Sequence, residues 1–483
     1  MKSFGYLIFL STVAALGGFL FGYDTAVISG TIGSVSAQFG LNEVQTGWYV
    51  GCALVGSVVG VTVAGRLSDR FGRKPVLSLS AVLFSLSAAG CMLSTDETQL
   101  VVYRIIGGVG IGVASIISPL YISEIAIARY RGTLVALYQL AITTGFLGAY
   151  LVNYAILDYA SAAAGAEGNR LWEMVFITEN WRAMLGMETF PALLFLVAVF
   201  FIPESPRWLV IHGKDEAARS IMSRTCGVKE TVQQLTELKL LVRNEVKSDW
   251  RLLLQPGFRK AVLTGVCLAM LGQFMGVNAV LYYGPTIFEQ TGLSAGDSLL
   301  YQVIVGAVNV AATLLGMWLI DKIGRKKLVY WGVSGMIITL FLTGLYFIMN
   351  DAGETWSPLV LLALILVYIF SCAVSICVVI FVLLSEMYPA RIRGAAMSIA
   401  GFSLWTGTYL IGQLTPWMMK NLSHAGVFWL FGVMCIPYLL IVWRLLPETT
   451  GKSLEDIERG WAGPSSESRD ARRASECRDA RRV

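Results

Sequence analysis

The 483-residue chain contains twelve apolar runs, each long enough to cross a lipid bilayer as a helix: 5–29, 46–65, 75–95, 99–121, 132–156, 182–202, 260–289, 299–320, 328–349, 357–384, 395–418 and 425–446. Crossing ~30 Å of hydrocarbon takes about 20 mostly apolar helical residues. No water is present there to satisfy a free N–H or C=O, so a spanning segment must close its own backbone hydrogen bonds. An all-α polytopic membrane protein is expected. Composition agrees: 55% of the residues are apolar and 14% charged, against about 25% charged in soluble domains. The first run lacks a strongly basic leader and outlasts the apolar stretch of a signal peptide, so it is expected to stay as the first helix.

Several function classes fall away. The net charge of +5 comes from basic residues in short separated groups, unlike the single basic face that binds nucleic acid. Eight cysteines (Cys52, Cys91, Cys226, Cys267, Cys372, Cys377, Cys435 and Cys477) show no regular spacing and no CxxC, against zinc or a disulfide framework. Only His212 and His424 are available for histidine chemistry. A soluble enzyme, a metal site and a cofactor are not expected. No GxxxxGK[ST] loop is present to support an ATP-driven pump.

Lysine and arginine in short loops set orientation. Arg66, Arg70, Arg73 and Lys74 lie between runs 2 and 3; Lys322, Arg325, Lys326 and Lys327 lie between runs 8 and 9. Arg129 and Arg131 follow run 4, and Arg391 and Arg393 follow run 10, whereas the loops near Asp96–Glu97 and Asp351–Glu354 are acidic. All basic loops are even-to-odd, which predicts both termini in the cytoplasm. The expected organisation is a six-helix half over 1–202, a cytoplasmic helical linker over 203–259, a second six-helix half over 260–446 and a tail over 447–483. From about 459 that tail, with its repeat SESRDARR/SECRDARR, is expected to be disordered.

Internal repetition sharpens the reading. GRLSDRFGRKP (65–75) has a counterpart in DKIGRKKL (321–328), SEIAIARYRG (123–132) in SEMYPARIRG (385–394), and PESPRWL (203–209) in PETTGKSLEDIE (447–458). Each pair follows the same helix of its half, as in carriers built from two repeated halves around a central pathway. Opposite charges in these motifs can pair across helix ends and latch the halves together on the cytoplasmic side. The residues of this gate are Asp69, Arg70, Gly72, Arg73, Glu124, Arg131, Glu204 and Arg207, then Asp321, Gly324, Arg325, Glu386, Arg393 and Glu448. The plainer alternative is that they only obey the positive-inside rule.

Taken together, GRLSDRFGRK, YRIIGG, PESPRWL, GQFMGVNAVLYY, SEMYPARIRG and PETTGKSLEDIE resemble the sugar porter family of the major facilitator superfamily, from Gly18 to about Glu458. The first helix, GGFLFGYDTAVISG (17–30), is most similar to that of the family's proton-coupled pentose and hexose symporters. The resemblance implies twelve helices in the major facilitator fold and proton-coupled import of a monosaccharide across the plasma membrane. The partners it implies are a small sugar, a proton and the lipid bilayer, with a functional monomer.

Three ionisable groups lie inside apolar runs. Asp24 is about five residues from the outer end of run 1, Arg104 about five inside run 4, and Glu188 about six into run 6. At ~1.5 Å per residue they share a depth of roughly 8 Å. Charges at that depth usually face the bundle interior and find partners. Asp24 is expected to couple the proton with Arg104 as its switchable partner, roles the resemblance also implies. The alternative is a permanent Asp24–Arg104 bridge that only ties two helices.

A sugar needs amides that donate and accept, with aromatic faces for its C–H surface. Gln139, Gln273, Asn278 and Asn309 supply amides, and Tyr282, Tyr283, Phe381 and Trp405 supply rings, at positions the resemblance assigns to sugar contact or gating. Three departures stand out. Gly272 replaces the first of the family's two consecutive glutamines, Cys377-Val378 replaces a hinge-like Gly-Pro ahead of Phe381 (the family's Trp), and Leu404 replaces a glutamine of its xylose carriers. A less polar pocket and a stiffer tenth helix are expected. Alternatives to symport are a facilitative sugar uniporter and a transporter-like sugar sensor.

Overall fold

The computed structural model describes residues 2–446 except 128–129, 164–169, 226–227, 244–252, 254–255, 355 and 389–391. The tail repeat and Glu448 therefore lie outside the described residues. Twelve long helices follow in order: α1 (Lys2–Phe39), α2 (Glu43–Phe71), α3 (Arg73–Leu93), α4 (Glu97–Ile125), α5 (Arg131–Ala162) and α6 (Trp181–Phe201), then α7 (Phe258–Glu289), α8 (Ala295–Ile323), α9 (Arg325–Asp351), α10 (Pro358–Leu384), α11 (Arg393–Asn421) and α12 (Ser423–Arg444). Eleven are both long and apolar enough to cross a membrane. The twelfth, α11, has the length but is diluted by Ser398, Ser403, Thr406, Thr408, Gln413 and Thr415, several of which bond its own backbone. Between α6 and α7 lie three short helices, Pro206–Ile211, Asp215–Thr225 and Val228–Arg243.

Within the first six helices α1 packs on α5, and α4 on α2 and α3; within the last six, α12 packs on α9 and α7 on α11. Small residues allow these approaches. A Cβ added to Gly56 or Gly60 of α2 would run into the backbone of α4, and one on Gly108 or Gly112 would run into α2. Two glycine pairs four apart thus bring the helices to backbone contact, as in membrane helices joined by van der Waals packing. The two sets of six meet through α2 with α11, α5 with α8, and α1 with the Val277–Glu289 half of α7.

The repeated turns are alike in geometry. Gly72 links α2 to α3 at φ 102° and Gly324 links α8 to α9 at φ 95°, a backbone region that only glycine enters without strain. Helix ends differ from the apolar runs where polar residues continue a helix: α1 reaches Phe39, ten residues past its run. Asp24 is therefore near the middle of its helix rather than five residues from the end. α6 is interrupted at Met187–Glu188, and α10 is π-wound over Ala373–Cys377. That π turn lies where the Gly-Pro hinge is missing, so helix 10 is irregular at the position where a stiffer helix was expected.

Candidate functional site

Asp24 of α1 and Arg104 of α4 meet in the centre of the first six helices. Arg104 Nη1 donates to Asp24 Oδ1 and, at 3.2 Å, to the Asp24 carbonyl. The two residues are 1% and 2% exposed. Glu188, buried at the break in α6, interacts electrostatically with both. Among the described residues, Asp24 Oδ2, Arg104 Nε and Glu188 Oε1 have no hydrogen-bond partner. Room for the carboxylate comes from Gly107, where a Cβ would lie 2.9 Å from Asp24 Oδ2. A cavity of about 10 Å³ lies against Arg104, lined by Thr25, Ile28, Val50, Ala53, Leu54, Ile111 and Tyr282. That is about the space one water occupies, and through Tyr282 it joins the charged cluster to α7.

On the α7 side, Gln273 Oε1 accepts from Asn278 Nδ2 at 2.8 Å and from Thr408 Oγ1 of α11 at 3.1 Å. Trp405, one turn earlier on α11, sits 5.4 Å from the ring of Phe21 of α1. An amide pair and two rings thus converge between the two sets of helices. Thr408 and Phe21 were not anticipated; their signal was spacing, since each lies three residues from a predicted site residue, Trp405 and Asp24. Tyr282 and Tyr283 are buried, and Tyr283 donates its hydroxyl to the Gly412 carbonyl at 2.6 Å, a tie between α7 and α11. Gln139 on α5 is half-buried and Asn309 on α8 is buried, and neither side-chain amide bonds another described residue. The Phe381 side chain lies outside the described residues.

Near the basic loops, Arg73 is a hub. It bonds Glu124 twice, Ser68 O at 3.1 Å and Asp69 Oδ1 at 3.4 Å. Glu204 caps the start of α3, accepting from the Arg73 N–H at 2.8 Å and the Lys74 N–H at 3.2 Å. A Cβ on Gly72 would collide with that carboxylate. Trp208 Nε1 donates to Asp69 O at 3.0 Å, Arg70 lies over the Phe71 ring, Arg131 is exposed and Arg207 half-buried. The second turn repeats the pattern. Arg325 Nη1 reaches Ile320 O at 3.4 Å as Arg73 reaches Ser68 O, and Lys326 Nζ bonds Leu446 O at the end of α12 as Lys74 Nζ bonds Phe200 O at the end of α6. Side chains of Asp321, Glu386 and Arg393 lie outside the described residues. The described motif pairs join helices of the same half.

The halves are joined at the opposite end. Gln413 Nε2 of α11 donates to Val44 O at 2.9 Å, Lys420 pairs with Glu43, and Tyr150 of α5 donates to Leu281 O of α7 at 2.8 Å. Gly47 lies directly against Gln413 O and Gly306 against the Tyr150 ring.

The model of the family described as Sugar (and other) transporter matches residues 10–461. The chain is 38% identical to the arabinose-proton symporter of Bacillus subtilis, covering 95% of this chain and 96% of that one. It is also 38% identical to the D-xylose-proton symporter of Escherichia coli, over 94% and 96%. The inward open structure of the E. coli xylose transporter XylE superposes with a TM-score of 0.80 at 36% identity, over 94% of this chain and all of that one. With its family model, its relatives and its helix arrangement in agreement, the chain is an integral membrane protein of the Sugar (and other) transporter family, with the twelve-helix fold of the major facilitator superfamily.

Proposed function

We propose that the chain imports a monosaccharide (a pentose, hexose or related polyol) together with a proton, by alternating access. The observation that carries this reading is the buried Asp24–Arg104 pair with Glu188 in its field, one small cavity away from Tyr282 on the sugar-side helix. Fully ionised, the three groups hold one positive and two negative charges. An uncompensated charge in a dry interior costs several kcal/mol, so the cluster is neutral with one proton on its carboxyls. With that proton on Asp24, Arg104 is balanced by Glu188 and its Nη1 is released from Asp24 Oδ1; the guanidinium already borders the cavity that reaches Tyr282. Gln273, Asn278 and Thr408 offer the sugar a donor-and-acceptor set, and Trp405 with Phe21 an apolar face.

The described contacts between the two sets of helices at the end away from the basic loops support a state that faces those loops. By the positive-inside rule the end with the basic loops is cytoplasmic, which supports an inward-facing state with both termini in the cytoplasm; the plasma membrane is the membrane that import of an external sugar calls for. The names of the two relatives, both sugar-proton symporters, support the substrate pair.

Counterflow in proteoliposomes with labelled pentoses, hexoses, deoxy sugars and inositol, with and without a pH gradient, tests the reading. One sugar giving counterflow, concentrated further when the outside is acidic, is the expected result. Counterflow indifferent to pH would make the protein a uniporter with a permanent Asp24–Arg104 tie. Binding without counterflow would make it a sensor.

A further inference from the structure

α10 changes its winding over Ala373–Cys377, where a π turn joins Pro358–Cys372 to Val378–Met387. In an α-helix, residues five apart point about 140° away from one another. The i→i+5 bonding of a π turn brings them onto one face. Cys372 and Cys377 bracket this turn, and their sulfurs stand 3.7 Å apart as free thiols, Cys372 buried and Cys377 partly exposed. Among the described residues no other two cysteine sulfurs are in contact.

Packing holds the turn. Ser375 occupies the space that a Cβ on Gly332 of α9 would need, the Val374 carbonyl lies 2.9 Å from where a Cβ on Gly316 of α8 would sit, and Ser375 Oγ donates to Ser371 O at 2.6 Å. The turn ends four residues before Phe381, in the helix the sugar reading assigns to the pocket.

We propose that Cys372 and Cys377 form a dithiol site that takes a trivalent arsenical, or another thiophilic centre able to bond both sulfurs, and that filling it holds α10 in its π-wound form. The sulfurs are too far apart for a disulfide of about 2.05 Å, and at a distance that one intervening atom spans. With hydrated phenylarsine oxide, PhAs(OH)2, two As–S bonds form and two As–O bonds break. The two thiol protons leave with the two hydroxides as water. Arsenic stays trivalent, so the step needs no oxidant. Once bridged, the two residues cannot separate to the positions an α-helix requires, and the segment ahead of Phe381 cannot rewind. The consequence for transport rests on the symport reading; the site itself does not.

The test uses the full-length purified protein and phenylarsine oxide, read by intact mass. One phenylarsenic adduct per chain is expected, removed by dimercaptopropanol and resistant to excess mercaptoethanol. Cys372→Ser and Cys377→Ser should each lose it, whereas Cys267→Ser, which removes an exposed single thiol, should keep it. An adduct that survives either of the first two substitutions, or no adduct on a wild-type chain that N-ethylmaleimide labels, overturns the site. Counterflow is then measured on the same samples. Loss of counterflow in the wild type, restored by dimercaptopropanol and absent in Cys377→Ser, is the expected result. A full adduct with unchanged counterflow overturns the lock. A wild type without counterflow for any sugar counts against the transport reading, while the mass result still decides the site.

Discussion

Arg73 of α3 and Glu124 of α4 are joined by two parallel hydrogen bonds of 2.9 Å, Nε to Oε2 and Nη2 to Oε1, with side chains 5% and 4% exposed. Such a fork gains geometry as well as charge. Removing the Glu124 charge leaves the buried Arg73 guanidinium with only the exposed Asp69 at 3.4 Å, and breaking a buried pair costs about 3–5 kcal/mol. Glu124→Gln should therefore lower the thermal unfolding midpoint in detergent clearly. Arg73→Lys should not match the wild type, because an ammonium cannot make both bonds. A midpoint unchanged by Glu124→Gln would show that water already screens the pair.

Asp24→Asn keeps the size of the side chain and removes its charge and its titration. Counterflow of the sugar should persist, whereas accumulation driven by an acidic exterior should vanish. Loss of both activities would instead assign Asp24 to holding α1 against α4. Arg104→Met should be worse than Asp24→Asn in expression and stability, since it leaves Asp24 and Glu188 buried without their shared cation.

Gln273 Oε1 is held by two donors, Asn278 and Thr408, which aim its amide N–H2 away from them. Gln273→Ala should raise the half-saturation concentration in counterflow about tenfold, the equivalent of about 1–1.5 kcal/mol of hydrogen bonding, with the maximal rate little changed. An equal fall in maximal rate and affinity would mean that the residue positions α7 against α11 instead of touching the sugar.

The seal between halves can be tested at Gly47, where any side chain meets the Gln413 carbonyl. Gly47→Trp should prop α2 from α11 and hold that end open, abolishing counterflow while calorimetry still detects sugar binding. Gly47→Ala should act in the same direction more weakly. Full counterflow in Gly47→Trp would show that this contact does not have to close.

Much of this architecture was legible in the chain. Twelve apolar runs mark the spans because hydrocarbon accepts little else, and α11 was found even though its serines and threonines dilute its apolarity. Asp24, Arg104 and Glu188 stood out for the same reason: a charge in a bilayer is costly enough to need an explanation. The Gly72 and Gly324 turns repeated in sequence and recur with matching φ. What was not legible depended on neighbours remote in the chain. The depth argument for Asp24 counted from the wrong helix end, because the apolar run stops before the helix does.

The sequence by itself determined that this chain crosses a membrane in two repeated sets of helices, with buried charge and amides among them, because hydropathy and charge act on each residue wherever the chain goes. Only the tertiary structure decided which partners those groups take: Arg73 with Glu124 inside one half, Gln413 with Val44 across the seal, Cys372 beside Cys377. Those choices follow from helix packing and from one π turn, and a turn held by glycine notches on neighbouring helices leaves no periodicity of its own to read.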